Sequence, residues 1–251
     1  MHALDLWLLH WLNAWVARSP AAFYSALAQG DRTPWVLAAC TFVLLWFSGV
    51  PDPPAADGAP TDAKGRLTRW EARRRTVLTF GAMLAGYLLS RALQIPFERL
   101  RPLAVQPLPI RVPIDPTVWA QVQQNLGKQG SFPSDHAVMF FSLTAGVFAI
   151  KRWLGPIVLA GALYFSALRV GVGFHWPSDI LAGAVLGVAL TLGAFALARR
   201  WRFAPDAVVA AFEHYPVAAY PLSFLVLLDL TQRFAAVFAF LASLGSGYVH
   251  R

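Results

Sequence analysis

Apolar residues come in long blocks along this chain, separated by short polar stretches, and the length of the blocks carries the first inference. Runs long enough to cross a bilayer, roughly 17–25 residues, fall near 34–50, 75–95, 134–150, 153–170, 178–198 and 216–244. Ahead of them, MHALDLWLLHWLNAWVARSP sets Leu4, Trp7, Leu8, Trp11, Leu12 and Trp15 at helical spacing, with Asp5 and Asn13 elsewhere around the helix. That pattern predicts, within residues 1–30, a helix lying in the membrane interface or a first short span. The stretch lacks a basic start and carries Asp5 in its apolar part, so it is not read as a cleaved signal. VPDPPAADGAPTDAKGR, residues 50–66, is rich in Pro, Ala and Asp without periodicity and predicts a flexible connection. The proline-rich segment 96–133 is too polar and broken to span, although TVWAQVQQNL predicts a short helix inside it. The expected fold is all-α: a polytopic membrane bundle of about six transmembrane helices forming a single domain over 1–251, with a C-terminal helical segment over 205–251.

Composition agrees with a membrane setting, since 57% of the 251 residues are hydrophobic and only 14% are charged, with ten Trp. The net charge of +8 raises nucleic acid as a partner. Its distribution argues against one, because the basic residues gather between the apolar runs, as membrane topology requires. Lys64, Arg66, Arg69 and Arg73–Arg75 form one cluster, Lys151 and Arg152 a second, and Arg199, Arg200 and Arg202 a third. All three fall on one side, expected to be cytoplasmic, which puts 96–133 and 170–178 on the opposite side. Arg99, Arg101, Arg111, Lys128 and Arg169 lie there against the bias, as though something on that side wants positive charge. The lone Cys40 excludes an internal disulfide and is read as a packing residue.

Three stretches meet on that second side: QIPFERLRP (94–102), SFPSDHA (131–137) and LRVGVGFHWPSD (168–179). Arg101 and Arg169 can each fork two N–H groups onto phosphate oxygens and keep their charge at any working pH. Ser134 stands where an N-cap belongs, and the backbone N–H groups behind it would attract an anion. Asp179 lies one turn beyond His175, and Pro177 marks the first turn of a helix, so the carboxylate is expected to reach back to the imidazole. Such a bond fixes the tautomer and leaves the second ring nitrogen as a nucleophile toward phosphorus. His136, arriving from another run, can protonate the leaving oxygen. Plainer readings stand beside these. Ser and Asp cap many helices that bind nothing, and His2, His10, His214 and His250 read as ordinary polar edge residues. A His–x3–Asp pair, or His136 beside Asp135, could also coordinate a metal, but the surrounding cations would repel a divalent ion, so no metal and no cofactor are expected. Asp229 and Arg233, one turn apart, predict a structural ion pair.

These residues carry a resemblance. The type 2 phosphatidic acid phosphatase (PAP2) family shows Lys-x6-Arg-Pro, then Pro-Ser-Gly-His, then Ser-Arg-x5-His-x3-Asp. Arg101-Pro102, Pro133-Ser134-Asp135-His136, and Arg169 with His175 and Asp179 are similar in order and spacing, over roughly residues 75–198. The resemblance implies a PAP2/haloperoxidase-like helical core and a metal-independent lipid phosphatase. It implies His175 as nucleophile helped by Asp179, His136 as the acid, and a phosphate held by Arg101, Arg169, Ser134 and Gln94, with Asp135, Glu98 and Arg99 behind them. Gln94 replaces the family's Lys, leaving either a neutral hydrogen bond there or Arg91 or Arg99 in its place; Leu168 replaces a Ser, and Asp135 a Gly. The FPSDH and FERLRP stretches are similar to bacterial undecaprenyl diphosphate phosphatases of the family. They imply a polyprenyl diphosphate as partner, water as acceptor, and an inner-membrane protein whose site faces the periplasm. The alternatives are a phosphatidate or phosphatidylglycerophosphate phosphatase, a lipid phosphotransferase, and a catalytically silent lipid-binding or transport protein.

Overall fold

The computed structural model describes residues 3–31, 33–52, 61–62, 64–127, 130–200 and 203–231. They form α1 (Ala3–Val16), α2 (Pro20–Asp31), α3 (Thr33–Trp46), α4 (Arg69–Leu93), α5 (Pro116–Leu126), α6 (Asp135–Ile150), α7 (Gly155–Gly171), α8 (Pro177–Arg200), α9 (Phe203–His214) and α10 (Pro216–Thr231), with a 3-10 turn at Pro102–Ala104. Among the described residues no strand forms, only isolated bridges joining Val50 to Thr68 and Thr61 to Leu67. The molecule is all-α, as the runs predict, and α5 is the short helix expected in the proline-rich segment.

Each apolar run contains a helix. Among the described residues two helices, α4 with 25 residues and α8 with 24, are long and apolar enough to cross a membrane, against the six spans expected for the whole chain. α3, α6 and α7 have 14, 16 and 17 residues. α6 explains part of the difference: it is enclosed by α4, α7 and α8, so its apolar composition serves a protein core as well as any lipid. The rest of the 216–244 run lies outside the described residues, as do Arg233, Lys128, Arg202, His2, His250 and most of the 50–66 connection. Cys40, expected to pack, is instead exposed on α3.

Small residues let the three central helices approach. Gly183 and Gly187 of α8 face the Ser134 and Val138 carbonyls of α6, and Gly86 of α4 faces the Val138 side chain. Ser142 then donates to the Gly187 carbonyl at 3.0 Å, and Thr191 donates to the same carbonyl at 3.1 Å. At one end of this bundle Thr68 caps α4, Arg75 donates to the Ala149 carbonyl, and Arg74 reaches the Ala198 carbonyl, Glu71 and Asp206. The residues flanking the three basic clusters therefore share an end, as the topology reading requires. At the other end Gln94 donates to the Pro133 carbonyl at 3.0 Å, Ser134 N–H to the Asp179 carbonyl at 3.1 Å, and Leu103 N–H to the Gly173 carbonyl at 3.0 Å. The three motif-bearing stretches are stitched together there through backbone carbonyls, which accept from one side-chain amide and two backbone N–H groups.

α1 lies across that second end, packed mainly on α7 and also on α8. Leu9, Leu12 and Val16 pack into the core, and two polar residues are buried beside them. Leu4, Trp7 and Trp11 are more than 60% exposed, whereas Asp5 and Asn13 are only 4% and 3% exposed. The Asn13 amide donates to the Gly171 and Arg111 carbonyls, and its oxygen accepts the Arg111 N–H at 2.8 Å.

Candidate active site

Ser134 caps α6 as its position predicts, its hydroxyl accepting the Ala137 N–H at 3.4 Å. The next N–H is not left for an outside anion: Asp135 folds its carboxylate back onto the His136 N–H at 2.8 Å. The same oxygen lies 2.7 Å from His136 Nδ1 and 3.9 Å from His175 Nε2. A carboxylate at the first helical position complements the positive helix end, so here the chain supplies its own anion. Trp35 of α3, 1% exposed, sets its ring edge-on to His136 at 5.1 Å between centroids.

His175 is fully buried, and its tautomer follows from its neighbours. Nδ1 lies 3.0 Å from the Ser131 carbonyl, which can only accept, so Nδ1 carries the hydrogen. Nε2 lies 3.4 Å from an Arg101 nitrogen, which can only donate, so Nε2 presents its lone pair. Burial first, and then the Arg101 and Arg169 guanidinium groups, hold this imidazole well below its ordinary pKa of 6.5. A neutral ring with its lone pair turned toward a cationic pocket is the form required of a nucleophile for phosphorus.

The expected His175–Asp179 hydrogen bond is not the one that forms. Asp179 Oδ2 stands 3.9 Å from Nδ1, and the Ser131 carbonyl takes its place. The carboxylate has stronger partners: Oδ2 accepts the Trp176 N–H at 2.8 Å in the first turn of α8, and Oδ1 accepts Arg99 at 2.7 Å. Arg99 thus pairs with acids beside the pocket, and its guanidinium also lies over the Trp176 ring at 5.6 Å.

Arg101, 2% exposed, is braced by the Phe174 carbonyl at 3.1 Å and the Gly130 carbonyl at 3.2 Å. Arg169 donates to the Gly30 carbonyl at 3.0 Å and lies over the Phe174 ring. Gln94, expected at the phosphate, has its amide engaged at both ends, by Arg91 at 3.2 Å and by the Pro133 carbonyl. Glu98 is exposed. Arg91 approaches Asp135 at 3.8 Å, so of the two substitutes for the missing Lys it is the one near the pocket. Donor atoms of Asp135, His136 and His175 lie within 4.8 Å of one another, close enough for a metal ion. Arg101 already fills the approach to His175 Nε2 with a cation, which disfavours that use. Sequence reasoning missed Ser131, whose contribution is a backbone carbonyl and leaves no side-chain signal, and Trp35, which reads as core. Asp5 carried a signal: a carboxylate in an otherwise apolar helix.

The fold is an all-α bundle that gathers two imidazoles and two buried guanidinium groups at one end. The PAP2 superfamily model matches residues 75–203, and the chain belongs to that superfamily. Among curated proteins it is 38% identical over 73 residues to the bacitracin transport permease protein BcrC of Bacillus licheniformis, covering 29% of this chain and 36% of that one. It is 35% identical over 65 residues to the putative undecaprenyl-diphosphatase YbjG of Escherichia coli K12, covering 26% and 33%. Against the lipid A 4'-phosphatase of Bacteroides thetaiotaomicron it is 33% identical over 111 residues, covering 40% and 49%. The matched segments therefore span about a third to a half of these relatives. No solved structure matches the chain.

Proposed function

We propose that this protein is a metal-independent lipid phosphatase that removes the terminal phosphate of a polyprenyl diphosphate, with undecaprenyl diphosphate as the leading substrate. The observation that carries the reading is the tautomer of His175, which turns the Nε2 lone pair toward Arg101. Nε2 attacks the terminal phosphorus while the bridging P–O bond breaks, and His136 gives a proton to the departing lipid phosphate. Water then attacks the phosphohistidine, His136 recovers a proton, and inorganic phosphate leaves. Arg101 and Arg169 neutralise the oxygens throughout, since phosphoryl transfer relies chiefly on positioning and electrostatics. Asp179 acts by charge across 3.9 Å rather than by a direct bond. The site would face the periplasm at the inner membrane, where the isoprenoid tail stays in lipid and only the diphosphate enters the pocket. The name of the YbjG relative supports this substrate. The longer match to a lipid A 4'-phosphatase supports a second reading, removal of phosphate from lipid A.

Purified protein offered undecaprenyl diphosphate, phosphatidate and lipid A side by side separates the two. Phosphate release from the diphosphate, undiminished by chelator and absent in His175→Ala, is the expected result. Preference for lipid A selects the second reading, and loss of activity on chelation overturns the metal-free mechanism.

A further inference from the structure

α1 lies outside the matched segment 75–203, yet it delivers a buried carboxylate to the edge of the pocket. Asp5 Oδ1 accepts the Ser178 N–H at 2.9 Å, while Oδ2 accepts the Ser178 hydroxyl at 2.7 Å and Arg99 at 2.8 Å. Arg99 gives its other terminal nitrogen to Asp179 Oδ1 at 2.7 Å and to the Ser178 hydroxyl at 2.8 Å. One guanidinium is thus held between two carboxylates, and the other oxygen of the second one, Oδ2, accepts the Trp176 N–H at 2.8 Å and stands 3.9 Å from His175 Nδ1.

Resting on the phosphatase reading above, we propose that Asp5 is a positioning residue for phosphoryl transfer, which shares Arg99 with Asp179 and so keeps negative charge and fixed orientation beside His175. Arg99 alone would cancel the charge of Asp179; with Asp5 added, the three groups together carry a net negative charge. When Nε2 bonds phosphorus the imidazole becomes cationic, and a buried carboxylate near Nδ1 stabilises it without moving. The groups facing His175 are Arg101 at Nε2, Asp135 at Nε2 and Asp179 at Nδ1, with Arg169 and His136 also acting on it through charge. Asp5 touches neither the ring nor the phosphate, so its influence passes through Arg99. Asn13, two turns along, holds the far half of α1 independently of this chain of charges.

Asp5→Asn keeps the shape and removes the charge. In lipid nanodiscs it is expected to lower kcat roughly three- to tenfold, with KM changed less than about twofold. The 15N-NMR titration of the His175 ring, identified by its loss in His175→Ala, should move to lower pH, because the charge of Arg99 is no longer shared. Asp5→Glu should recover part of kcat. An unchanged kcat and titration, or a raised KM with kcat preserved, overturns the proposal. Should Asp5→Asn fail to fold, Ser178→Ala removes the bridging hydroxyl and is read by the same two measurements. A smaller change in the same direction supports the proposal, and no change overturns it. The ring titration needs no substrate. A chain that releases no phosphate from any lipid therefore defeats the phosphatase reading while the ring still decides the role of Asp5.

Discussion

Asp135 makes the sharpest residue-scale demand on the proposed mechanism, in which its carboxylate shares the pocket with the entering phosphate. It lies 2.7 Å from His136 Nδ1, where it would orient the proposed proton donor, and 3.9 Å from His175 Nε2, where it would repel an incoming anion. Asp135→Asn is expected to lower kcat roughly tenfold by loosening His136 and to strengthen inhibition by inorganic phosphate; steady-state assays with added phosphate measure both. The buried, neutral state of His175 sets a second expectation. Protonation would remove the proposed nucleophile, and burial with Arg101 and Arg169 pushes that event below the ordinary 6.5, so the acid limb of kcat/KM should lie below pH 6.5. The sign for stability is the reverse of a benefit. Between 6.5 and the lowered value the unfolded chain binds a proton that the folded chain refuses, so stability falls as the pH is lowered through that window. The convergence of His136, His175, Arg101 and Arg169 was legible because motif spacing reports side-chain identity. The Ser131 carbonyl was not, since any residue supplies one. Nor was the diversion of Asp179 to Arg99, since two acceptors of one imidazole differ only by fractions of a turn.

At the scale of elements, the start of α6 and the start of α8 are joined by one backbone bond, from Ser134 N–H to the Asp179 carbonyl. What lets them meet is the row of small residues below: a Cβ at Gly187 would collide with the Val138 carbonyl and one at Gly183 with the Ser134 carbonyl. Gly187→Ala is therefore expected to push α8 from α6, lowering the thermal denaturation midpoint and the phosphatase activity together. A variant with wild-type stability would show that the helices can part without cost. Helix existence was legible from the apolar runs, and so was the sharing of ends by the basic and motif-bearing segments. Composition does not fix the span count, because an apolar stretch facing other helices and one facing lipid read alike, as enclosed α6 demonstrates.

For the whole molecule, the periodicity of α1 was legible, but the part played by its polar residues was not. Leu4, Trp7 and Trp11 face outward, Leu9, Leu12 and Val16 pack on the protein, and Asp5 and Asn13 are buried beside them in hydrogen bonds. Lipids brominated near the headgroup should quench Trp fluorescence, and the Trp7→Phe, Trp11→Phe double variant should lose much of that quenching. Equal quenching by lipids brominated at the tail ends would place α1 at a different depth. A helix held by carboxylate and amide bonds on one side, with Leu4, Trp7 and Trp11 exposed on the other, is expected to make the surrounding amphiphile a participant in the geometry of Arg99 and Asp179. Turnover measured in short-chain detergent and in bilayers should then differ in kcat, so the medium of purification becomes a variable of the chemistry rather than its container.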